Sequence, residues 1–199
     1  MIVDKRAMTV NRLPNQMEAT RMSRIILRYG ILAGLIVGIP MFGSIVLLHG
    51  RISLTSGMII GYTTMLIAFS LVFVAIKRHR DSDLGGVIRF WQAFGLGLGI
   101  SAVASVVYVV AWEAVLATTQ MDFIGQYAAA VIEQKKASGV SGEALAKFSA
   151  EMEAMKTEYA NPLYRLPMTF IEIFPIGALV SLLAATLLRN RRFLAVARV

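Results

Sequence analysis

The spacing of the charged residues limits the fold more than any other feature of this chain. Residues 29–50, 52–76 and 90–112 contain no Asp, Glu, Lys or Arg, and residues 166–188 contain only Glu172. A helix rises about 1.5 Å per residue, so roughly 20 apolar residues cross a hydrocarbon layer about 30 Å thick. Core helices of a water-soluble protein are shorter and keep a polar stripe on the outer face. None of these four stretches has such a stripe. Composition agrees: 57% of the 199 residues are hydrophobic and 16% charged, against about 45–50% and 25% in soluble domains. The expected fold is an all-α membrane protein, a four-transmembrane-helix bundle with spans at about 27–49, 54–76, 90–114 and 166–188. An extracytoplasmic helical hairpin, about 120–160, is expected between spans three and four. Residues 1–24 are mixed and polar and read as a mobile cytoplasmic arm. The first span is too long for the apolar region of a signal peptide, and no small-residue cleavage site follows it before Arg51.

A net charge of +8 raises the question of nucleic acid, but the position of the charge answers it. Fourteen of the 20 basic residues lie in the N-terminal segment through Arg28, in the loop between spans two and three, and after residue 188. The segment 114–165 carries five basic residues against six acidic ones. By the positive-inside rule both termini lie in the cytoplasm and the long segment outside. Trp91 and Trp112 are 21 residues apart, about 31 Å along a helix, and mark the two interfaces of the third span. Basic residues are favoured beside anionic headgroups. The expected partner is therefore the lipid bilayer, with no nucleic acid.

Within 121–138, Phe123, Tyr127 and Val131 recur at helical spacing. Gly139-Val140-Ser141-Gly142 interrupts the pattern, with Ser141 placed to cap a second helix ahead of Glu143. Leu145, Phe148, Met152, Met155 and Tyr159 then form a heptad-like seam, closed by Asn161-Pro162. Such seams pack on each other or on the bundle, or they receive another chain.

The motifs are mostly packing motifs. Gly30, Gly34 and Gly38 place small residues on one face of the first span, and Gly95 and Gly99, with Gly97, Ser101 and Ser105, do so on the third. In lipid, glycine permits the close backbone approach on which helix association depends. These rows serve packing within the chain or a homo-oligomer. The run Phe94–Ile100 is not a nucleotide loop, because Ile100 stands where the last glycine of G-x-G-x-x-G would be and no strand precedes it. The chain has no cysteine and only His49 and His79, which excludes thiolate metal sites, a cysteine nucleophile and three-histidine centres. No metal, cofactor or catalytic constellation is expected.

The candidate intramembrane polar site is built around Glu172, about 9 Å inside the fourth span, with Thr169 on its face and Pro175 three residues on. Glu113 stands at the outer end of the third span, and Arg51 and Arg165 flank the same level. Tyr62 and Tyr108 are placed to add hydroxyls. An ionisable group at that depth is a functional candidate by default. The plainer alternative is an ion pair of Glu172 with Arg51 or Arg165, or a neutral, hydrogen-bonded carboxyl.

In the second span the residues Ile60-Gly61-Tyr62, Met65, Ala68-Phe69, Phe73-Val74, Lys77 and Arg80-Asp81 carry a resemblance to a known family. Phe90, Ala93-Phe94, Ser105, Tyr108, Trp112, Asp122-Phe123 and Asn161-Pro162 extend it, as do Thr169-Phe170, Glu172, Phe174-Pro175 and Gly177. The chain resembles, from about residue 25 onward, small bacterial membrane proteins grouped as domain of unknown function 4199. The resemblance implies a bacterial inner-membrane protein and brings no activity or catalytic residue with it. Two classes of function stay open: a non-enzymatic scaffold or accessory subunit with a membrane-protein partner or homo-oligomer, and a small transporter or ion- and proton-handling protein using Glu172.

Overall fold

The computed structural model describes residues 12–47, 54–120 and 122–195. Every element among them is helical. α1 (Arg12–Phe42) continues as a π-helical turn, Gly43–Leu47, and α2 (Leu54–Arg78) as a second one, His79–Asp83. α3 (Phe90–Thr118), α4 (Asp122–Ala137), α5 (Gly142–Tyr159) and α6 (Pro162–Leu188) follow. Four segments, Glu18–Leu47, Thr55–Asp83, Phe90–Thr118 and Pro162–Leu188, are long and apolar enough to cross a membrane. At 27–30 residues each they reach about 40–45 Å along the axis, enough to span when tilted. Large apolar side chains such as Ile39, Leu66, Val110 and Leu183 are exposed along them. That is the pattern of a lipid-facing surface, and the chain is a multi-pass membrane protein.

The first span begins earlier than its composition indicates. α1 starts at Arg12, inside the segment expected to be an arm, with Pro14 in the opening turns where its missing N–H costs little. The extension is tied down: Arg21 Nη1 donates to Asp83 Oδ1 at 3.0 Å, and Gln92 Nε2 to Glu18 Oε1 at 3.0 Å. Residues 1–11 lie outside the described residues.

The chain divides into two compact units, and each is described by itself. The first takes residues through Gly34, Ala68–Ala104 and the chain from Ile176 on. Its buried stripes repeat every three or four residues: Ala68, Phe69, Val72, Ala75 and Ile76 on α2, Ala93, Leu96 and Ile100 on α3, and Ala184, Ala185 and Leu188 on α6. α3 and α6 meet at paired small-xxx-small steps, Gly97/Ser101 and Gly177/Ser181. A Cβ on Gly97 would stand 2.7 Å from Ser181 Cβ, and one on Gly177 would stand 2.6 Å from both Phe69 Cε1 and Ser101 Oγ. Both serines donate to a carbonyl one turn back, Ser101 to Gly97 and Ser181 to Gly177, so neither hydroxyl opposes the approach. Gly30 is equally committed, 2.6 Å from Val103 Cβ by the same measure, and Gly99 approaches Ile26. Gly34 is buried. Gly95 differs from the expectation that paired it with Gly99. It is exposed and a Cβ there would meet nothing within 4 Å, so the register of α3 gives the close approach to Gly97 instead.

One end of this unit is held by a buried guanidinium. Arg80, 1% exposed, sits in the π-helical turn. Its Nε donates to Asp81 Oδ1 at 2.6 Å, Nη1 to the Phe193 carbonyl at 2.9 Å and Nη2 to the Leu194 carbonyl at 3.1 Å. Asp81 also receives Lys77 Nζ at 2.7 Å. His79 Nδ1 lies 2.9 Å from Asp83, which receives Arg21 as well. From the π turn Arg80 reaches the chain after α6, with Asp81 beside it. Gly85 and Gly86, with φ of +63° and +90°, then reverse the backbone, and the Gly86 N–H closes on the Arg80 carbonyl at 2.8 Å.

In the second unit α4 and α5 are joined by a turn with positive φ at Gly139 (+90°) and Gly142 (+61°). Lys135 Nζ stands 5.5 Å from the Phe148 ring centroid across them. On α5 the seam residues Leu145, Phe148, Met152, Met155 and Tyr159 are half-buried, as are Ser149 and Lys156, and the rest of the helix is exposed. On α4 the buried positions are Ile124 and Ala128 rather than the Phe123–Tyr127 stripe, one residue from the expected face. Ser141 occupies the position before α5, but its side chain makes no capping bond.

Two outcomes are expected. Val at Gly97 or Gly177 should cost about 1–3 kcal/mol by overpacking, whereas Gly95→Val should change stability by less than about 0.5 kcal/mol. Thermal unfolding in detergent compares them, and equal losses at all three would refute the assigned register. Arg80→Met should release the residues after α6, so that trypsin cuts after Arg189, Arg191 and Arg192 about tenfold faster, as about 1.4 kcal/mol of lost closure would give. An unchanged rate would show that the guanidinium does not hold this turn.

Candidate functional site

The polar residues singled out from the sequence mostly fall in the second unit, Leu35–Ile67 with Ser105–Pro175. Its centre is an ion pair between α3 and α6. Arg165 Nε donates to Glu113 Oε1 at 2.7 Å and Nη2 to Oε2 at 2.6 Å, a two-pronged geometry in which both carboxylate oxygens are engaged. Nη1 donates to the Tyr159 carbonyl at 3.0 Å. The Arg165 side chain is 8% exposed and that of Glu113 33%. The local chain places Arg165: Asn161 receives the Leu163 N–H on its side-chain oxygen at 3.0 Å, and Pro162 opens α6 where no N–H is required. Arg165 then falls one turn into the helix, facing back toward the end of α5.

A hydrogen-bonded chain runs beside the pair. Trp112 Nε1 donates to Tyr159 Oη at 2.8 Å, and Tyr159 Oη lies 3.3 Å from Thr169 Oγ1, which donates to the Arg165 carbonyl at 3.0 Å. An indole N–H only donates, and the single Thr169 proton is directed to a carbonyl, which only accepts. Tyr159 therefore accepts from Trp112, and while Thr169 keeps its bond to the Arg165 carbonyl it is Tyr159 that donates between the two hydroxyls. Thr169 is 2% exposed.

Glu172 stands apart from both arrangements. The expected pairing of Glu172 with Arg165 is corrected: Glu113 reaches the guanidinium from α3 and engages it with both oxygens. Arg51 lies outside the described residues. At 100° per residue Glu172 falls on the border of α6 between the buried positions Arg165, Thr169 and Ile173 and the exposed positions Met168, Ile171 and Pro175. It is exposed, and within electrostatic reach of the buried Tyr108. Tyr108 also interacts with Tyr159. The structure thus brings Tyr108 to Glu172 and brings Thr169, Arg165 and Glu113 together. It does not add Tyr62, which is 61% exposed. From Thr55 to Thr64 α2 has no buried residue, so the stripe to which Tyr62 belongs loses its cover before reaching it.

Tyr159 is the residue that pattern reading missed. Its seam spacing marked it as an apolar contact, and its place just before Asn161-Pro162 is the signal that it sits at the α5–α6 corner. Chemically, the Glu113–Arg165 group holds three elements together, with each carboxylate oxygen accepting from the guanidinium. Among the described residues no three His, Asp or Glu side chains converge as metal ligands. Of the two candidate carboxylates, the one without an ion pair from the described residues is Glu172.

The pair lends itself to a double-mutant cycle. Glu113→Gln should destabilise by about 3 kcal/mol, at the low end for breaking a buried pair because Glu113 is a third exposed. Glu113→Gln with Arg165→Met should cost less than the sum of the two single changes. Additive losses in detergent unfolding would show that the two side chains do not interact.

The residues that build these contacts, from Arg80 through Glu113 and Arg165 to Glu172, fall inside the stretch that a protein-family profile recognises. No curated protein and no solved structure matches the chain. The profile covers residues 28–190, and the chain belongs to the family described as protein of unknown function (DUF4199).

Proposed function

We propose that the chain is a non-enzymatic accessory or assembly subunit of a bacterial inner membrane, with both termini in the cytoplasm and the α4–α5 hairpin outside. The orientation is supported by the basic residues, which cluster at Arg21, Arg24, Arg28, Lys77, Arg78, Arg89 and Arg189–Arg192 and are balanced by acids in 114–165. The observation that carries the functional reading is the allocation of polar groups. Glu113, Arg165, Thr169, Arg80 and Asp81 hold helices and turns to one another. Glu172 instead stands at the border of a lipid-level apolar surface. A charge there is expensive unless another component meets it.

The electrostatic interaction of Glu172 with the buried Tyr108 favours a second reading, in which the carboxyl handles protons or cations. Reconstitution separates the two. The full chain in vesicles loaded with a pH-sensitive dye should show no proton flux above empty vesicles; a flux abolished by Glu172→Gln would replace the assembly reading. Orientation is tested by Val140→Cys, the only thiol in a chain without cysteine. An impermeant maleimide should label it in intact cells, and labelling only after permeabilisation would invert the topology.

A further inference from the structure

We infer that the surface of α6 around Glu172 is a docking site for a transmembrane helix of another protein that carries a lysine or arginine at the same depth. The inference rests on the assembly reading and names its partner by chemistry. Glu172 lies ten residues beyond Pro162, about 15 Å along the helix from its start, and so within the hydrocarbon. Beside it Met168 and Ile171 are exposed, at 53% and 61%, and Pro175 is exposed as well. Pro175 has no N–H to give the Ile171 carbonyl, one turn back. The same turn of helix therefore offers two acceptors, the Glu172 carboxylate and the Ile171 carbonyl. Lipid has no donor to offer either.

The donors do not come from the described part of the chain. Among the described residues no hydrogen bond or ion pair reaches the Glu172 carboxylate, and Tyr108 acts on it only electrostatically. Arg165, seven residues away, is engaged with both oxygens of Glu113. A second copy fits poorly. Within the described spans its lysines and arginines other than Arg165 are Arg21, Arg24, Arg28, Lys77, Arg78 and Arg80, each toward one end of its own span, whereas Glu172 lies ten residues inside its own. Two copies meeting here would place carboxylate against carboxylate. An ammonium or guanidinium on a foreign helix supplies both the charge and the donors, and Met168 and Ile171 supply apolar contact around them.

The test uses the full chain carrying a fluorophore on Val140→Cys, in phosphatidylcholine–phosphatidylglycerol vesicles. The probe is an acceptor-labelled polyleucine peptide of about 24 residues, with one lysine a third of the way along. Energy transfer should show about tenfold tighter association than for the same peptide with leucine or glutamate in place of the lysine, a gain of about 1.4 kcal/mol. Glu172→Gln should abolish that preference, with the Trp112–Tyr159 region intact by near-ultraviolet circular dichroism; Glu143→Gln, remote on α5, should preserve it. Equal binding of all three peptides, or a lysine preference that survives Glu172→Gln, would overturn the inference. So would self-association of two labelled copies that depends on Glu172, which would make the partner a second copy. A lysine preference that emerges only after Arg51→Gln would overturn it too, because the chain would then neutralise its own carboxylate. Failure in any of these forms leaves the assembly reading standing, since that reading falls only to a Glu172-dependent proton flux.

Discussion

Hydrocarbon cannot hydrogen-bond, and this one constraint sorts the polar groups of the chain. Each serine, threonine, arginine or carboxylate within a span either finds a partner in the protein or requires one from elsewhere. The hydroxyls take the least costly course and bond a carbonyl one turn back, as Ser101, Thr169 and Ser181 do. Charges cannot be satisfied within one helix so easily. Arg165 needs Glu113 from α3 and a carbonyl from the end of α5, so the ion pair also fixes how α6 enters the unit. Arg80 solves the same problem with backbone carbonyls after α6 and one neighbouring carboxylate. Satisfying a charge and fastening the chain are one event at both places.

Close packing supplies what the hydrophobic effect does not. Between lipid-embedded helices there is no water to expel, and association depends on contact and on backbone approach. The joint of Gly97 and Ser101 with Gly177 and Ser181 shows how specific that is: a single Cβ would bring atoms to 2.6–2.7 Å. Serine is tolerated next to glycine there because its hydroxyl folds back onto its own helix. The large apolar side chains do a different task, since many of them face outward.

The spans were legible because hydrophobic length is a direct consequence of bilayer thickness, and the residues of Glu113, Arg165, Thr169, Tyr108 and Glu172 were legible because charged and hydroxyl groups stand out against apolar runs. Their pairing was not. Which cation meets Glu172 or Glu113 depends on where α6 begins, and the Asn161-Pro162 corner sets that phase by a few residues. One turn of difference gave Arg165 to Glu113. Gly95 and Gly97 could not be told apart for a similar reason: both lie in small-residue rows that read as packing faces, and only the rotation of α3 about its axis decides which row meets α6. The early start of α1 was hidden because Glu18 and Arg21 read as solvent-facing until Gln92 and Asp83 supply their partners from other elements.

Glu172 gains its meaning from the same constraint. Its nearest cation in sequence is already engaged, its neighbours on the outer face are apolar, and the proline three residues on deprives the Ile171 carbonyl of its helical donor. A residue that only stabilised the unit would have been better placed on the face occupied by Arg165 and Thr169, where partners are at hand. One that conducted ions would need polar groups on several helices at its level, and Tyr62, the candidate on α2, points out to the surface. What distinguishes Glu172 from Glu113, Arg165 and Arg80 is that it is exposed on the border of its helix and receives no hydrogen bond or ion pair from the described residues. That position costs least when a second surface closes it, and a cationic helix is the surface whose chemistry matches both acceptors at once.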